Sequence, residues 1–207
     1  MAGVSGLRRL KGGALRVIAA VIVTAVSVAG AWLAVKTQDE KAFFPDDSFD
    51  QRQITYLSTV YVAMREPSFF ASIGDDGVSY RVVWLPSLMA PVAMRVDIAD
   101  EGNAVLTYTM GNFITDGAMG RLKLRGQRDL DEEEFQKLTA LFSQSSLCDL
   151  PVQDPSDAMY IDGDAWVVEY RSDREYCVVV QTLRPTGPLG DFSDYMHELA
   201  GDLDRWR

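Results

Sequence analysis

The sequence predicts an α+β fold: one mostly antiparallel sheet of about six strands with about three packed helices, following an N-terminal transmembrane helix. Three observations lead there. Six short segments are rich in strand formers and are separated by turn residues. Three longer segments carry apolar residues at helical spacing, one before the strands, one among them and one after, an order that suits an antiparallel sheet better than alternating βαβ units. Ahead of all of these, residues 17–35 run for 19 positions without a charge.

That uncharged run (VIAAVIVTAVSVAGAWLAV) would span roughly 28 Å as a helix at about 1.5 Å per residue, close to the apolar thickness of a bilayer. Arg8, Arg9, Lys11 and Arg16 precede it, and a mixed-sign stretch from Lys36 to Lys41 follows. The positive-inside rule then keeps the N-terminus in the cytoplasm and carries the rest across. The reading is a basic cytoplasmic N-terminus (1–16), a single-pass anchor in the bacterial inner membrane (17–35), a linker (36–47) and an exported, extracytoplasmic α+β domain (48–207). The competing reading is a cleaved signal peptide and a domain secreted to the periplasm, because Ala29-Gly30-Ala31 fits a small-x-small cleavage site. The apolar run continues through Val35, which suits an anchor better. No cysteine precedes Cys148, so the segment carries no lipidation site.

Charge is distributed unevenly. The chain of 207 residues holds 20 basic and 30 acidic groups, a net of −10. Residues 1–38 contain five of the basic groups and none of the acidic ones, leaving fifteen against thirty, a net of −15, for the remainder. A domain so acidic repels nucleic acid, and nucleic-acid binding is excluded on that ground. Hydrophobic content of 47% and charged content of 24% are those of a folded chain.

Ser48 and Gln51 have capping-box spacing and predict a helix through Ile54, Leu57, Val60, Tyr61 and Met64 that Pro67 closes. Residues 68–78 read as a loop. Strands follow at 80–85, 92–98, 104–110 and 121–125; in the second, Val92, Met94, Val96 and Ile98 share one face and Arg95 and Asp97 the other. Asp131 and Glu134 form a second capping box, with Leu130 and Phe135 at the staple positions and Glu132 and Glu133 facing the positive end of the helix dipole. The acidic run therefore has a structural explanation. Strands at 165–170 and 176–182 are apolar on both faces, as in a sheet covered on both sides. A last helix, about 191–205 with Asp191 as its cap, carries Phe192, Met196, Leu199, Leu203 and Trp206.

Few residues suggest chemistry. Ser193, Asp194 and His197 are neighbours on the last helix, but His197 is turned away from the apolar stripe toward solvent, and nothing suggests an oxyanion hole. Asp154, Asp157, Asp162 and Asp164 gather in one acidic segment that could supply oxygen ligands, yet it lacks EF-hand spacing, and Asp162-Gly163 also reads as a turn. No glycine-rich phosphate loop occurs, and neither a metal, a cofactor nor a catalytic residue is expected. Cys148 and Cys177, in the exported part, read as one disulfide; the alternative is two reduced core cysteines. Glu169 stands mid-strand in an element buried on both faces, where a lone carboxylate is costly. Arg81 and Arg95, also mid-strand, could reach it. The expected arrangement is a structural ion pair; a ligand-facing polar patch is the alternative.

The runs Tyr80-Arg-Val-Val-Trp84-Leu85, Pro91-Val-Ala-Met-Arg95 and Asp162-Gly-Asp-Ala-Trp166-Val-Val-Glu169, with Tyr176 after the turn, resemble a group of small bacterial exported proteins of uncharacterised function over roughly residues 50–200. The resemblance implies an envelope protein with an α+β domain and supplies no activity. The expected function is a non-enzymatic, membrane-tethered domain binding another envelope protein or ligand; the alternative is a small carboxylate-dependent envelope hydrolase.

Overall fold

A computed structural model describes residues 42–87, 89–99, 103–112, 122–153 and 164–201. Residues 17–35, read as a membrane span, lie outside them, and among the described residues no helix is long and apolar enough to cross a membrane.

The elements, in chain order, are α1 (Gln51–Met64), β1 (Val78–Leu85), β2 (Val92–Ile98), β3 (Ala104–Gly111), β4 (Leu122–Asp129), α2 (Glu132–Ser145), β5 (Ala165–Arg171), β6 (Tyr176–Gln181) and α3 (Gly187–Leu199). Single 3-10 turns occupy Phe70–Ser72 and Leu147–Asp149. The six strands form one sheet in the order β4-β3-β2-β1-β5-β6, with every neighbouring pair antiparallel. The α+β class and the antiparallel sheet agree with the sequence reading.

Both faces of the sheet are covered. On one, Tyr80, Val82, Met94, Leu106, Trp166, Val168 and Val179 meet Leu138 of α2 and Phe192 and Met196 of α3. On the other, Val83, Ala93, Val167, Val178 and Val180 meet Leu57, Val60, Tyr61 and Met64 of α1, together with Phe44 and Phe49. Burying a large apolar side chain is worth about 1.5–3 kcal/mol, so each stripe is a substantial attachment for its helix.

Several boundaries differ from expectation: β4 runs past the expected 121–125 to Asp129, and the last helix ends at Leu199, with Leu203 and Trp206 of its expected stripe outside the described residues. Three others have a local reason. The first capping box uses Asp50 and Gln53 in place of Ser48 and Gln51: the Asp50 carboxylate accepts from the Arg52 and Gln53 amides at 2.8 and 2.9 Å. This register puts Phe49 and Ile54 at the staple positions, both in the α1-side cluster. The core begins earlier than the expected linker allows, since Phe44 is 1% exposed and packs on Phe49 and Tyr61. The last helix starts at Gly187, with Pro188 in its first turn where the missing N–H costs nothing, so Asp191 lies inside the helix and is not its cap. The earlier start adds Leu189 to the buried stripe. The second capping box is as expected, Asp131 accepting from the Glu134 amide while Glu134 accepts from the Asp131 amide.

Candidate functional site

Side chains of β1, β2 and β5 that point toward α1 include five charged groups, Arg81, Arg95, Asp97, Glu169 and Arg171; Arg171 turns to the Ser72 and Asp75 carbonyls, and the other four form a cluster. Register brings them together, with Arg81 opposite Glu169 on one side and opposite Arg95 on the other. Two directly opposed arginines would repel. The fold relieves this with carboxylates from different elements.

Glu169 is fully buried and accepts four hydrogen bonds: from Arg81 Nε at 2.6 Å and Nη2 at 2.8 Å, from the Tyr61 hydroxyl at 2.7 Å and from the Tyr176 hydroxyl at 2.8 Å. The Arg81 guanidinium, also fully buried, donates its remaining reach to the Pro67 carbonyl at 2.7 Å and lies over the rings of Phe69 and Tyr61. Burial on its own would favour its neutral form, but the charge of Glu169, Tyr61, the hydrogen bonds to Glu169 and the charge of Glu66 together outweigh that and hold its pKa above the ordinary arginine value. Tyr61 and Tyr176 are pushed well above the ordinary phenol value, first by burial and then by the Glu169 charge. Both therefore remain donors.

Arg95 does not reach Glu169. It donates to Glu66 at 2.8 Å and to Asp97 at 2.8 Å. Glu66 stands just beyond the left-handed residue Arg65 that closes α1; it lies 3.7 Å from Arg81 and accepts from the Thr109 hydroxyl. The result is one chain of alternating charge, Glu169–Arg81–Glu66–Arg95–Asp97, only its last member substantially exposed. Two candidate residues, Glu169 and Arg81, are thus in direct contact, and Arg95 joins them through Glu66. Tyr61 sits in the expected stripe of α1 with its polar end unassigned, and Glu66 carries no sequence signal of its own. The one partner with a sequence signal was Asp97, two residues from Arg95 on the same face of β2.

The other candidates fare differently. Ser193 is buried and donates to the Leu189 carbonyl, Asp194 accepts from Arg184, and His197 is half-buried with its ring against Trp84. The three do not form a relay, and the expected solvent-facing His197 is corrected. Of the acidic segment, Asp164 accepts from the Trp84 indole and the Ser87 amide; Asp154, Asp157 and Asp162 lie outside the described residues. Cys148 and Cys177 form a disulfide, Cα atoms 5.2 Å apart, tying the turn after α2 to β6. Glu175 is close enough to both sulfurs to complete a set of three potential metal-ligand atoms, but the disulfide removes the two thiolates a metal would need.

An open cleft of about 350 Å³ runs along the free edge of β6, between residues 45–48 and residues 147–150. Tyr176 lines it and joins it to the ion chain through its hydroxyl, while Glu169 itself is shut off from it. No protein-family model matches the chain, and no curated protein is significantly similar to it.

Proposed function

We propose that this chain is a single-pass, membrane-tethered component of the bacterial cell envelope whose extracytoplasmic domain acts by binding another envelope protein or ligand. The observation that carries the binding reading is the state of Glu169. A catalytic carboxylate must reach substrate, and this one spends its acceptor capacity on Arg81, Tyr61 and Tyr176 inside the sheet–α1 interface. The hydrolase reading therefore loses its leading residue. The Cys148–Cys177 disulfide supports export, since such bonds persist in oxidising compartments. Residues 17–35, with their basic flank, supply the tether, and the resemblance to small exported proteins belongs to the same proposal.

The test uses the intact chain in bacterial cells, with a C-terminal reporter active only outside the cytoplasm and a photo-crosslinking residue scanned over the domain surface. Reporter activity, an uncleaved N-terminus in the mass of the membrane-extracted chain and a discrete crosslinked product are expected. A silent reporter on a chain that accumulates normally would overturn export. A mature chain beginning at Trp32 would overturn the tether, and the absence of any crosslinked product from all positions would overturn the binding role.

A further inference from the structure

Over its first half the free edge of β6 lines the cleft, Tyr176 half-buried and Val178 buried. Val180 donates its amide to the Val152 carbonyl at 2.7 Å, and Gln153 makes a single parallel bridge to the same residue. The Val180 amide therefore points away from β5. Backbone direction alternates along a strand, so Val178 and Tyr176 also turn their N–H and C=O groups outward. Among the described residues nothing bonds to these outward groups, and both residues line the cleft. The cleft is walled on one sheet face by residues 45–48 and on the other by residues 147–150, where Leu150 is an exposed apolar side chain. Among the described residues its charged ones are Asp47 and Glu175, with no lysine or arginine.

Resting on the binding role proposed above, we infer that this cleft receives an extended segment of a partner protein, which adds as a short strand to β6 at Tyr176–Val178 and carries lysine or arginine beside apolar residues. Unpaired edge groups supply main-chain hydrogen bonds, and flanking pockets select side chains. Val152 and Gln153 set the length at one end, because they already occupy the edge at Val180. The two acidic residues, beside a domain (48–207) whose fourteen basic and twenty-six acidic groups leave a net charge of −12, select a basic segment over an acidic one. The ion chain holds the inner wall rigid, as Tyr176 is fixed through Glu169.

The experiment uses the full chain in neutral detergent with selectively nitrogen-labelled valine, and two acetylated, amidated peptides, KVKVK and EVEVE. Amide exchange at Val178 should slow by about tenfold or more with saturating KVKVK and stay unchanged with EVEVE. In the Asp47→Lys/Glu175→Lys double variant the preference should reverse, with KVKVK weakened by about tenfold. KVKVK methylated on alternate backbone nitrogens should fail to protect Val178. Unchanged Val178 exchange with bound KVKVK, or equal binding of the two peptides, overturns the proposal. Protection present before peptide is added also overturns it: if lost on dilution the occupant is a second copy, and if kept it is another part of the same chain. Crosslinks in cells from other surfaces, with positions 47 and 175 silent, would sink this site while leaving the binding role standing.

Discussion

Replacing Glu169 by glutamine should destabilise the domain more than any surface substitution. The carboxylate satisfies a buried guanidinium and two buried phenols at 2.6–2.8 Å. A glutamine carbonyl could keep some of these bonds, but its NH₂ would confront donors, and the fully buried Arg81 cation would retain only Glu66 at 3.7 Å as an ionic partner. Breaking a buried pair from one side costs about 3–5 kcal/mol. For a domain of this size each kcal/mol moves Tm by about 2–4 °C, so the expected fall is about 6–20 °C. Thermal and urea unfolding followed by circular dichroism provide the measurement, with the exposed Glu133→Gln as a control expected to stay within about 0.5 kcal/mol. Combining Glu169→Leu with Arg81→Met should be less destructive than the two changes summed, because the second removes the charge that the first leaves stranded. A Tm shift below about 2 °C for Glu169→Gln, or strict additivity in the double variant, would refute the claim that this carboxylate is structural.

Reduction of the disulfide, or Cys148→Ser, should remove about 3–4 kcal/mol, the chain-entropy value for a bridge closing a separation of 29 residues; unfolding in the presence and absence of reductant measures it, and identical midpoints would contradict it. Glu134 is held below its ordinary pKa of 4.5, chiefly by its hydrogen bonds from Arg128, so the pair's contribution is present above that value and fades as pH falls through the lower folded value. With its two side chains 38% and 28% exposed, the pair is screened by solvent and should count for little; the stability gap between the parent and Arg128→Ala should still narrow on acidification from pH 6, and a gap that widened would contradict the assignment. Tyr80 is pushed up to about 12 by burial and by Tyr170, and Tyr61 and Tyr176 are raised as well, so folding protects neutral phenols and stability should decline as pH rises from about 10 toward 12. Phenolate absorbance should accordingly arrive in two stages, the second coinciding with loss of circular dichroism, whereas one smooth titration near 10 in the folded protein would be the contrary result.

What could be read from the sequence depended on how local the determining physics was. The Asp131–Glu134 capping box was legible because a cap is decided within four residues, and the β2 bounds because period-two alternation stops at Ile98. The start of α1 was misplaced because Ser48 and Asp50 offer the same spacing two residues apart. The choice falls to Phe49, whose burial in the cluster that α1 forms with Phe44 and the distant strands β1, β5 and β6 cannot be seen from spacing. Glu169 was legible as an anomaly, a carboxylate between apolar neighbours, yet its partners were only half legible. Arg81 and Arg95 lie on adjacent strands of one face, and which of them meets Glu169 depends on β5 joining the sheet beside β1 and not at the β4 edge. That order is a long-range fact, and so is the contribution of Glu66.

The same strand order distinguishes the two edges of the sheet. β4, at one edge, alternates half-buried residues with exposed Lys123, Arg125, Gln127 and Asp129, the charged, polar composition that discourages another chain from pairing. β6, at the other, reads Tyr-Cys-Val-Val-Val-Gln and carries no charge, and its protection is the single bridge at Val180 together with the disulfide-tethered turn. Its valines are buried, but the outward backbone groups of Tyr176 and Val178, without a partner among the described residues, invite pairing unless something of suitable chemistry covers them. The ion chain bears on that edge as well. Glu169 pairs across the ladder with Val178 and holds the Tyr176 hydroxyl, so the rigid interior of the sheet extends to the strand offered for binding. A preorganised edge loses less conformational freedom when a partner adds to it, which is where a buried ion network of modest net stability can still serve recognition.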